Sequence, residues 1–200
     1  MARTPWGYSV DADPMPPLIN SMQYAQLSGA ALTDESIPRI EATLAAVSAA
    51  IRAWCGWHVA PVLECHADVT GDGRMLSLPT LALESVDGIT IDGSEVDLAD
   101  VQTLSSGLVR LRCGHWPSDW GGVSVDFTSG FELDQVPDLG AVVAQVASNA
   151  MAGAPGVQSE RAGEVSITYN ATGYGVAGGV TLLDRDKAIL APYRLPSTPR

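Results

Sequence analysis

The side chains best suited to chemistry fall in three loose pairs, Cys55 with His58, Cys65 with His66 and Cys113 with His115. Thiolate and imidazole are zinc ligands, but a structural site needs four of them converging on a tetrahedron. No Cys-x-x-Cys knuckle is present, and strand alternation sends Cys65 and His66 to opposite faces. Cys55 continues an apolar helical stripe, where a thiol behaves as a small buried hydrophobe. Glu132 and Asp134 form a close carboxylate pair suited in principle to acid–base work, yet their setting reads as a polar loop between a strand and a helix start. Asp68, Asp72 and Gly73 fail the spacing of a calcium loop and read as a hairpin. The sequence holds no Gly-x-Ser-x-Gly elbow, no His-Glu-x-x-His and no P-loop. The expectation is therefore no catalytic residue, no metal and no cofactor. A small metal-dependent hydrolase is the enzymatic alternative.

The elements that carry these residues are legible from periodicity. Residues 1–19 read as an extended arm, because Pro5, Pro14, Pro16 and Pro17 remove backbone donors and disfavour a regular element. A short helix is predicted from Asn20 to Leu27, closed by Gly29. A long helix follows from Asp34 to Cys55, capped by Thr33 or Asp34 and ended by Gly56. Ile37, Leu44 and Ile51 share its apolar stripe with Ile40, Val47 and Trp54. Ala45, Ala46, Ala49, Ala50 and Ala53 fill much of the remainder, which favours helix and permits close approach of a second helix.

From Val59 to Phe131 the period becomes two. Leu63, Cys65, Ala67 and Val69 alternate with Glu64, His66 and Asp68; Val109 and Leu111 alternate with Leu108 and Arg110; Val123, Val125 and Phe127 alternate with Ser124 and Asp126. Asp-Gly pairs at 72–73, 87–88 and 92–93 read as hairpin turns between such runs. A second helix is predicted from Pro137 to Met151, then a strand within Gly163–Asn170 and a mobile Gly-rich stretch at 171–180. A short helix over Thr181–Leu190 follows, with Thr181 and Asp184 at capping-box spacing, and a proline-bracketed tail runs from Pro192 to Arg200. The fold class expected is α+β. An antiparallel β subdomain (59–131) is inserted between a helical part (20–58) and a helix (132–156). The N-terminal arm (1–19) precedes them, and a strand, loop, short helix and arm (157–200) follow.

Composition narrows function further. With 46% apolar and 17% charged residues the chain is globular and large enough to bury a core without staples. The net charge of −12 argues against a phosphate-binding surface, which needs clustered Lys and Arg. Beyond Asp186 the tail carries Lys187, Arg194 and Arg200 and no carboxylate, so it suits an acidic neighbour. Three cysteines cannot all pair within one chain, and no apolar run follows Arg3, Pro5 and Trp6. The expectation is a soluble protein made in a reducing cytoplasm, with no membrane association. Of the five tryptophans, Trp54 and Trp57 read as core at a helix–sheet junction. Trp116 and Trp120, flanking a Pro-Ser-Asp loop, stay open between core and interface anchor.

The order of these motifs resembles a known family. A helix ends in Ile51-Arg-Ala-Trp-Cys-Gly-Trp-His-Val-Ala-Pro61, a strand pair leads to Leu76-Ser-Leu-Pro79, and Gly114-His-Trp-Pro117 and the Val123–Gly130 strand follow. Val136-Pro-Asp138 then opens a helix, and the chain closes on Leu190-Ala-Pro-Tyr-Arg-Leu-Pro196. Over Asn20 to Pro196 this is similar to the head-to-tail adaptors, or head-tail connectors, of siphovirus-type bacteriophages, particularly those infecting actinobacteria. Residues 1–19 and 171–180 match least.

The resemblance implies a virion structural protein in the viral neck, not an enzyme. It would form a homo-oligomeric, dodecameric ring between the portal protein and the stopper or head-completion protein. Double-stranded DNA would pass through the lumen without specific binding. It further implies a portal-docking arm at Leu190, Pro192, Tyr193, Arg194 and Pro196, and subunit packing through Ala45, Ala46, Ala49 and Ala53, with Trp116 and Trp120 as further candidates. A stopper or tail terminator is the alternative within the neck. Such proteins tend to be more β-rich and to lack the long N-terminal helix, so Asp34–Cys55 weighs against them.

Overall fold

Short-period and long-period segments sort into two units in the computed structural model, which describes residues 1–152, 159–162, 165–168 and 180–196. One unit, β-rich, combines Met1–Pro16, Cys55–Gln135 and the segment from Tyr193 onward. The other, mainly helical, combines Pro17–Trp54 with Val136–Pro192. The fold is α+β with antiparallel pairing throughout, as the alternation predicts.

The β-rich unit holds nine short strands: β1 (Ala2–Arg3), β2 (Ser9–Val10), β3 (Leu63–Val69), β4 (Met75–Ser77), β5 (Leu83–Ile91), β6 (Ser94–Glu95), β7 (Val101–Thr103), β8 (Leu108–Leu111) and β9 (Val123–Ser129). Six of them form one sheet in the order β1-β2-β3-β9-β5-β6, and three form a second, β4-β8-β7. The central ladder pairs Cys65 with Phe127 and Ala67 with Val125, so the alternating apolar residues of β3 and β9 share one buried face. Val10 from β2 and Ile89 from β5 complete it.

Two expectations need correcting here. The N-terminal stretch is not a free extended arm: β1 and β2 add two strands to the sheet edge, and Thr4 donates its N–H to the carbonyl of the buried Tyr8 at 2.8 Å. The prolines at 5, 14, 16 and 17 all lie outside the paired residues, so none of them removes a ladder donor. Asp87-Gly88 is also not a turn. It lies inside β5, where the register against β9 slips between Val86 and Gly88, so the glycine marks a β-bulge. Asp92-Gly93 does turn the β5–β6 hairpin, with positive φ at both residues (48° and 79°), as a type I′ turn requires.

The helical unit follows the predicted spacing closely. Helix α1 (Ser21–Ser28) is closed at its start by a reciprocal pair of bonds between Asn20 and Gln23, each 2.8 Å, and at its end by Gly29 at φ 70°. Helix α2 (Ile37–Cys55) starts three residues later than the periodicity suggests. Thr33 and Ser36 bond reciprocally through their side chains and hold residues 34–36 in a turn ahead of it. Ile40, Leu44, Val47 and Ile51 are buried along one stripe. Within that stripe Ser48 donates to Leu44 O at 2.6 Å and accepts from Leu18 N at 2.8 Å, so a buried hydroxyl is satisfied on both sides.

Helix α3 (Pro137–Ala152) buries Leu139, Val142, Val143, Val146 and Ala147. It contacts α1, where Tyr24 and Ser148 share a 3.0 Å hydrogen bond, and is joined to α2 by Arg39 Nη2 donating to Met151 O. The hairpin β10 (Ser159–Ala162) and β11 (Val165–Thr168) supplies the strand expected near 163–170. Helix α4 (Asp184–Leu190) packs on α3; its N-cap is Leu183, whose N–H donates to the carboxylate of Asp186 three residues on at 3.0 Å, and not the Thr181–Asp184 pair. The Gly-rich residues 171–179 and the tail residues 197–200 lie outside the described residues.

Gly130 shows how tightly the start of the β subdomain is fixed. Its φ is +128°, and a Cβ added there would stand 2.3 Å from the Pro61 carbonyl oxygen. Gly130→Ala is expected to lower stability by about 2 kcal/mol or more, combining backbone strain with a steric clash. Chemical denaturation of the purified variant, read as a shift in midpoint at unchanged slope, checks this.

Candidate interaction surfaces

The C-terminal segment is the first candidate, and its backbone is already engaged. Cys55 ends α2, and the sharp turn at Gly56 (φ 82°) brings Trp57 and His58 into the β-rich unit, both fully buried. Trp57 Nε1 donates to Tyr193 O at 2.7 Å, and Leu195 N donates to Cys55 O at 2.9 Å. The Tyr193 ring stands edge-on to Phe131 at 5.6 Å, and Phe131 stands edge-on to Trp57 at 5.9 Å. The expected docking arm is thus, through Leu195, part of the fold. Leu190 is buried, and Ala191–Tyr193 form a single 3-10 turn. Of the five residues assigned to docking, Pro192, Arg194 and Pro196 remain exposed and Tyr193 is half-buried.

The alanines of α2 form the second candidate. Ala45, Ala46, Ala49 and Ala53 are all exposed, and so is Ala42. Their spacing of three and four residues places them in one arc, opposite the stripe that buries Leu44, Val47 and Ile51. The two loop tryptophans separate completely. Trp116 is 2% exposed and belongs to the core; a Cβ at Gly71 would stand 2.2 Å from its own Cβ, and its indole N–H has no hydrogen-bond partner among the described residues. Trp120 is 93% exposed, four residues away. A turn bonded from Gly122 N to Asp119 O and from Gly121 N to Thr70 Oγ1 holds it out. Only Trp120 is therefore available as an anchor.

The residues considered for chemistry are occupied otherwise. His58 is locked between two partners: its Nδ1 lies 2.8 Å from the Tyr8 hydroxyl, its Nε2 lies 2.9 Å from Ser129 O, and its own N–H donates to Tyr8 Oη at 3.0 Å. The ring nitrogen facing the Ser129 carbonyl carries a proton, and in a neutral ring Nδ1 then accepts from the Tyr8 hydroxyl. Cys55 and Cys65 are buried, and Cys113 is exposed. Desolvation pushes the Cys55 thiol up to about 12 against a smaller lowering by Arg194, and pushes Cys65 up to about 11 against a hydrogen bond from Ser129. Glu132 and Gln135 close a turn ahead of α3, and Asp134 lies within that turn.

One constellation escaped the sequence reading. His66 Nδ1 lies 2.7 Å from Asp126 Oδ1, and its Nε2 lies 3.3 Å from Ser124 Oγ, the connectivity of a Ser-His-Asp triad. Ser124, however, directs its proton to Asp68 Oδ1 at 2.8 Å, so the hydroxyl is not poised for His66 to draw that proton. The group laces β3 to β9 on the exposed face of the sheet. Strand alternation already put all four residues on outward positions; only the register, pairing His66 with Asp126 and Asp68 with Ser124, brings them together. Among the described residues, no group of three or more His, Cys, Asp or Glu is placed to hold a metal ion, and no helix is long and apolar enough to cross a membrane.

Two measurements follow from this geometry. A thiol reagent is expected to modify Cys113 alone in the native protein and all three cysteines after denaturation. The raised thiols also give a sign in pH. Folding favours their protonated form, so the associated stability is full below about pH 9 and is lost as pH rises toward 11 and 12. Cys55→Ala is expected to flatten that alkaline limb in melts taken across the range. Separately, Trp57→Phe removes the N–H that holds Tyr193 O and is expected to cost about 1 kcal/mol. It is also expected to speed proteolytic trimming of the C-terminal segment, measurable by mass spectrometry.

With the geometry in place, comparison with known proteins gives a consistent likeness. No protein-family model matches the chain, and no curated protein sequence matches it. Among solved structures, the chain is similar to one in the neck of an empty GTA particle computed with C6 symmetry. The identity is 18%, the TM-score 0.57, and the match covers 90% of this chain and 91% of that one. It is similar also to a chain in the neck of the native GTA particle computed with C12 symmetry, at 17% identity and TM-score 0.56, covering 89% and 91%. A third match, in the virion of the native gene transfer agent particle, has 16% identity and TM-score 0.58 and covers 96% of both chains. At these identities the likeness concerns the fold: this chain has, over nearly its whole length, the α+β architecture of proteins found in those particles.

Proposed function

We propose that this chain is a structural protein of a phage-like virion neck, and within the neck the head-to-tail adaptor. Its copies form a ring between the portal and the stopper, and double-stranded DNA passes through the lumen. The observation that carries this reading is the fold likeness over about nine-tenths of the chain to chains in the GTA particle neck, computed with C6 and with C12 symmetry. Three features of the chain agree with it. The exposed alanine arc of α2 lets a neighbouring helix approach closely at little cost in side-chain entropy. A net charge of −12 keeps passing DNA from adhering. The exposed Arg194 and Pro196, on a segment whose backbone is already fixed, present a pre-ordered basic tip that loses little entropy on docking to the portal. The long helix α2 favours an adaptor over a stopper or terminator.

Electron microscopy of the protein mixed with its portal tests the assignment. The expected image is a ring of this chain capping the portal on its tail side; density placed at the tail end of the neck would assign it as a terminator instead. For the docking tip, Arg194→Glu combined with Pro196→Ala should leave the melt within about 0.5 kcal/mol of wild type, because both side chains are exposed. Portal binding should be lost. Undiminished binding by that folded variant would remove the docking role from the tip.

A further inference from the structure

The β-rich unit carries two sheet faces with opposite electrostatics. On the six-stranded sheet the outward rows run Ser9–His66–Asp126–Gly88, Glu64–Thr128–Ser85 and Asp68–Ser124–Thr90–Glu95. Glu64, Asp68, Asp126 and Glu95 are exposed, and Asp87 reaches across to accept from Ser85 and Thr128. At the sheet edge the first row continues from Ser9 to the exposed Arg3; the other two rows contain no Lys or Arg.

The three-stranded sheet is the reverse. Its inner face buries Leu76 and Val109, and its outer face aligns Met75, Arg110 and Gln102 in one row and Ser77 with Leu108 in the next. Alternation continues that outer face to Leu104 and Arg112, and Arg112, whose N–H donates to Asp100 O at 2.8 Å, stands opposite Asp100. Met75 is 39% exposed and Leu104 59%. Arg110 bonds to Gln102, and among the described residues no ion pair reaches Arg110 or Arg112. Arginine and methionine beside exposed leucine, with a single carboxylate (Asp100) opposite Arg112 at one end, is the composition of an interface centre.

We propose that the Arg110–Arg112 face of one copy docks on the acidic face of the six-stranded sheet of the next copy, head to tail. Neither face suits a two-fold contact with itself, because that sets like charge against like charge. Each complements the other, and joining two different patches of identical molecules is the heterologous contact that generates rings. The inference rests on the ring reading above and names the surfaces that would join its subunits.

Sedimentation velocity of the full chain, at low and at molar salt, tests it. Wild type is expected to self-associate at low salt and to dissociate as salt screens the pair. Arg110→Glu with Arg112→Glu, and separately Glu64→Lys with Asp68→Lys, should each weaken association by about tenfold or more while keeping the wild-type circular dichroism. Mixing the two reversed variants should restore it, because each then presents a complement to the other; this rescue also shows that both variants are folded. A wild type that stays monomeric at low salt, association indifferent to the reversals, or no rescue on mixing overturns the proposal. An arginine reversal that leaves self-association intact but abolishes portal binding assigns that face to the portal and likewise overturns it. Rings that persist in both reversed variants keep the ring and remove these faces. Open, salt-sensitive chains that rescue on mixing keep the faces and remove the ring.

Discussion

The β-rich unit depends on one buried polar node. His58 is wholly enclosed, and the chain satisfies it completely: Tyr8 closes one ring nitrogen, Ser129 O the other, and the Tyr8 hydroxyl also takes the His58 backbone N–H. Three sequence-distant pieces, the N-terminal stretch, the segment after α2 and the last residue of β9, therefore have to arrive together. An unmet donor or acceptor at this depth costs about 1–3 kcal/mol, so a partly formed node is worse than none. Val59, next in the chain, is held at φ 65°, a conformation that a β-branched residue adopts only when its surroundings compel it; its carbonyl accepts from Phe131 N at 2.8 Å.

Trp57 extends the same node toward the C-terminus. Its ring abuts His58 at 5.3 Å and Phe131 at 5.9 Å, while its N–H holds Tyr193 O. The start of the β subdomain and the C-terminal segment are thereby tied through the same side chain. That coupling changes the physical meaning of a docking arm. An arm that is disordered until it binds loses conformational entropy on docking, whereas one fixed beforehand presents Arg194 and Pro196 with that cost already met within the fold.

The surfaces left after the cores are built are uneven in character. Alanine lines one side of α2, a bare indole stands at Trp120, arginine and methionine occupy the small sheet, and carboxylates occupy the large one. In the ring proposed above, each of these faces would meet an unlike one on the next copy. The Ser124–His66–Asp126–Asp68 group fits that view better than catalysis. Its hydrogen bonds run along the sheet and terminate on carboxylates, so it braces the acidic face and offers no free nucleophile.

Periodicity alone determined most of the elements. The seven-residue spacing of Ile37, Leu44 and Ile51 defined α2 and its buried side, Gly29 marked the end of α1, and alternation assigned the inward residues of β3, β8 and β9. These are local rules: each depends on a few neighbouring residues, and burial reinforced them. The sequence missed what depends on partners far along the chain. Nothing local to Ala2–Arg3 or Ser9–Val10 reveals that a sheet edge waits for them, and Asp87-Gly88 carries a turn signature that pairing with β9 overrides. Trp116 and Trp120 have the same chemistry and nearly the same position. Only the approach of Gly71 to one and the turn beneath the other decided that the first is core and the second bare. The same holds for Tyr193, whose proline-rich setting reads as a tail until Trp57, 136 residues earlier, supplies the donor that fixes it. Local sequence sets which face of an element is apolar; which distant face it meets is decided by the joint packing of all of them.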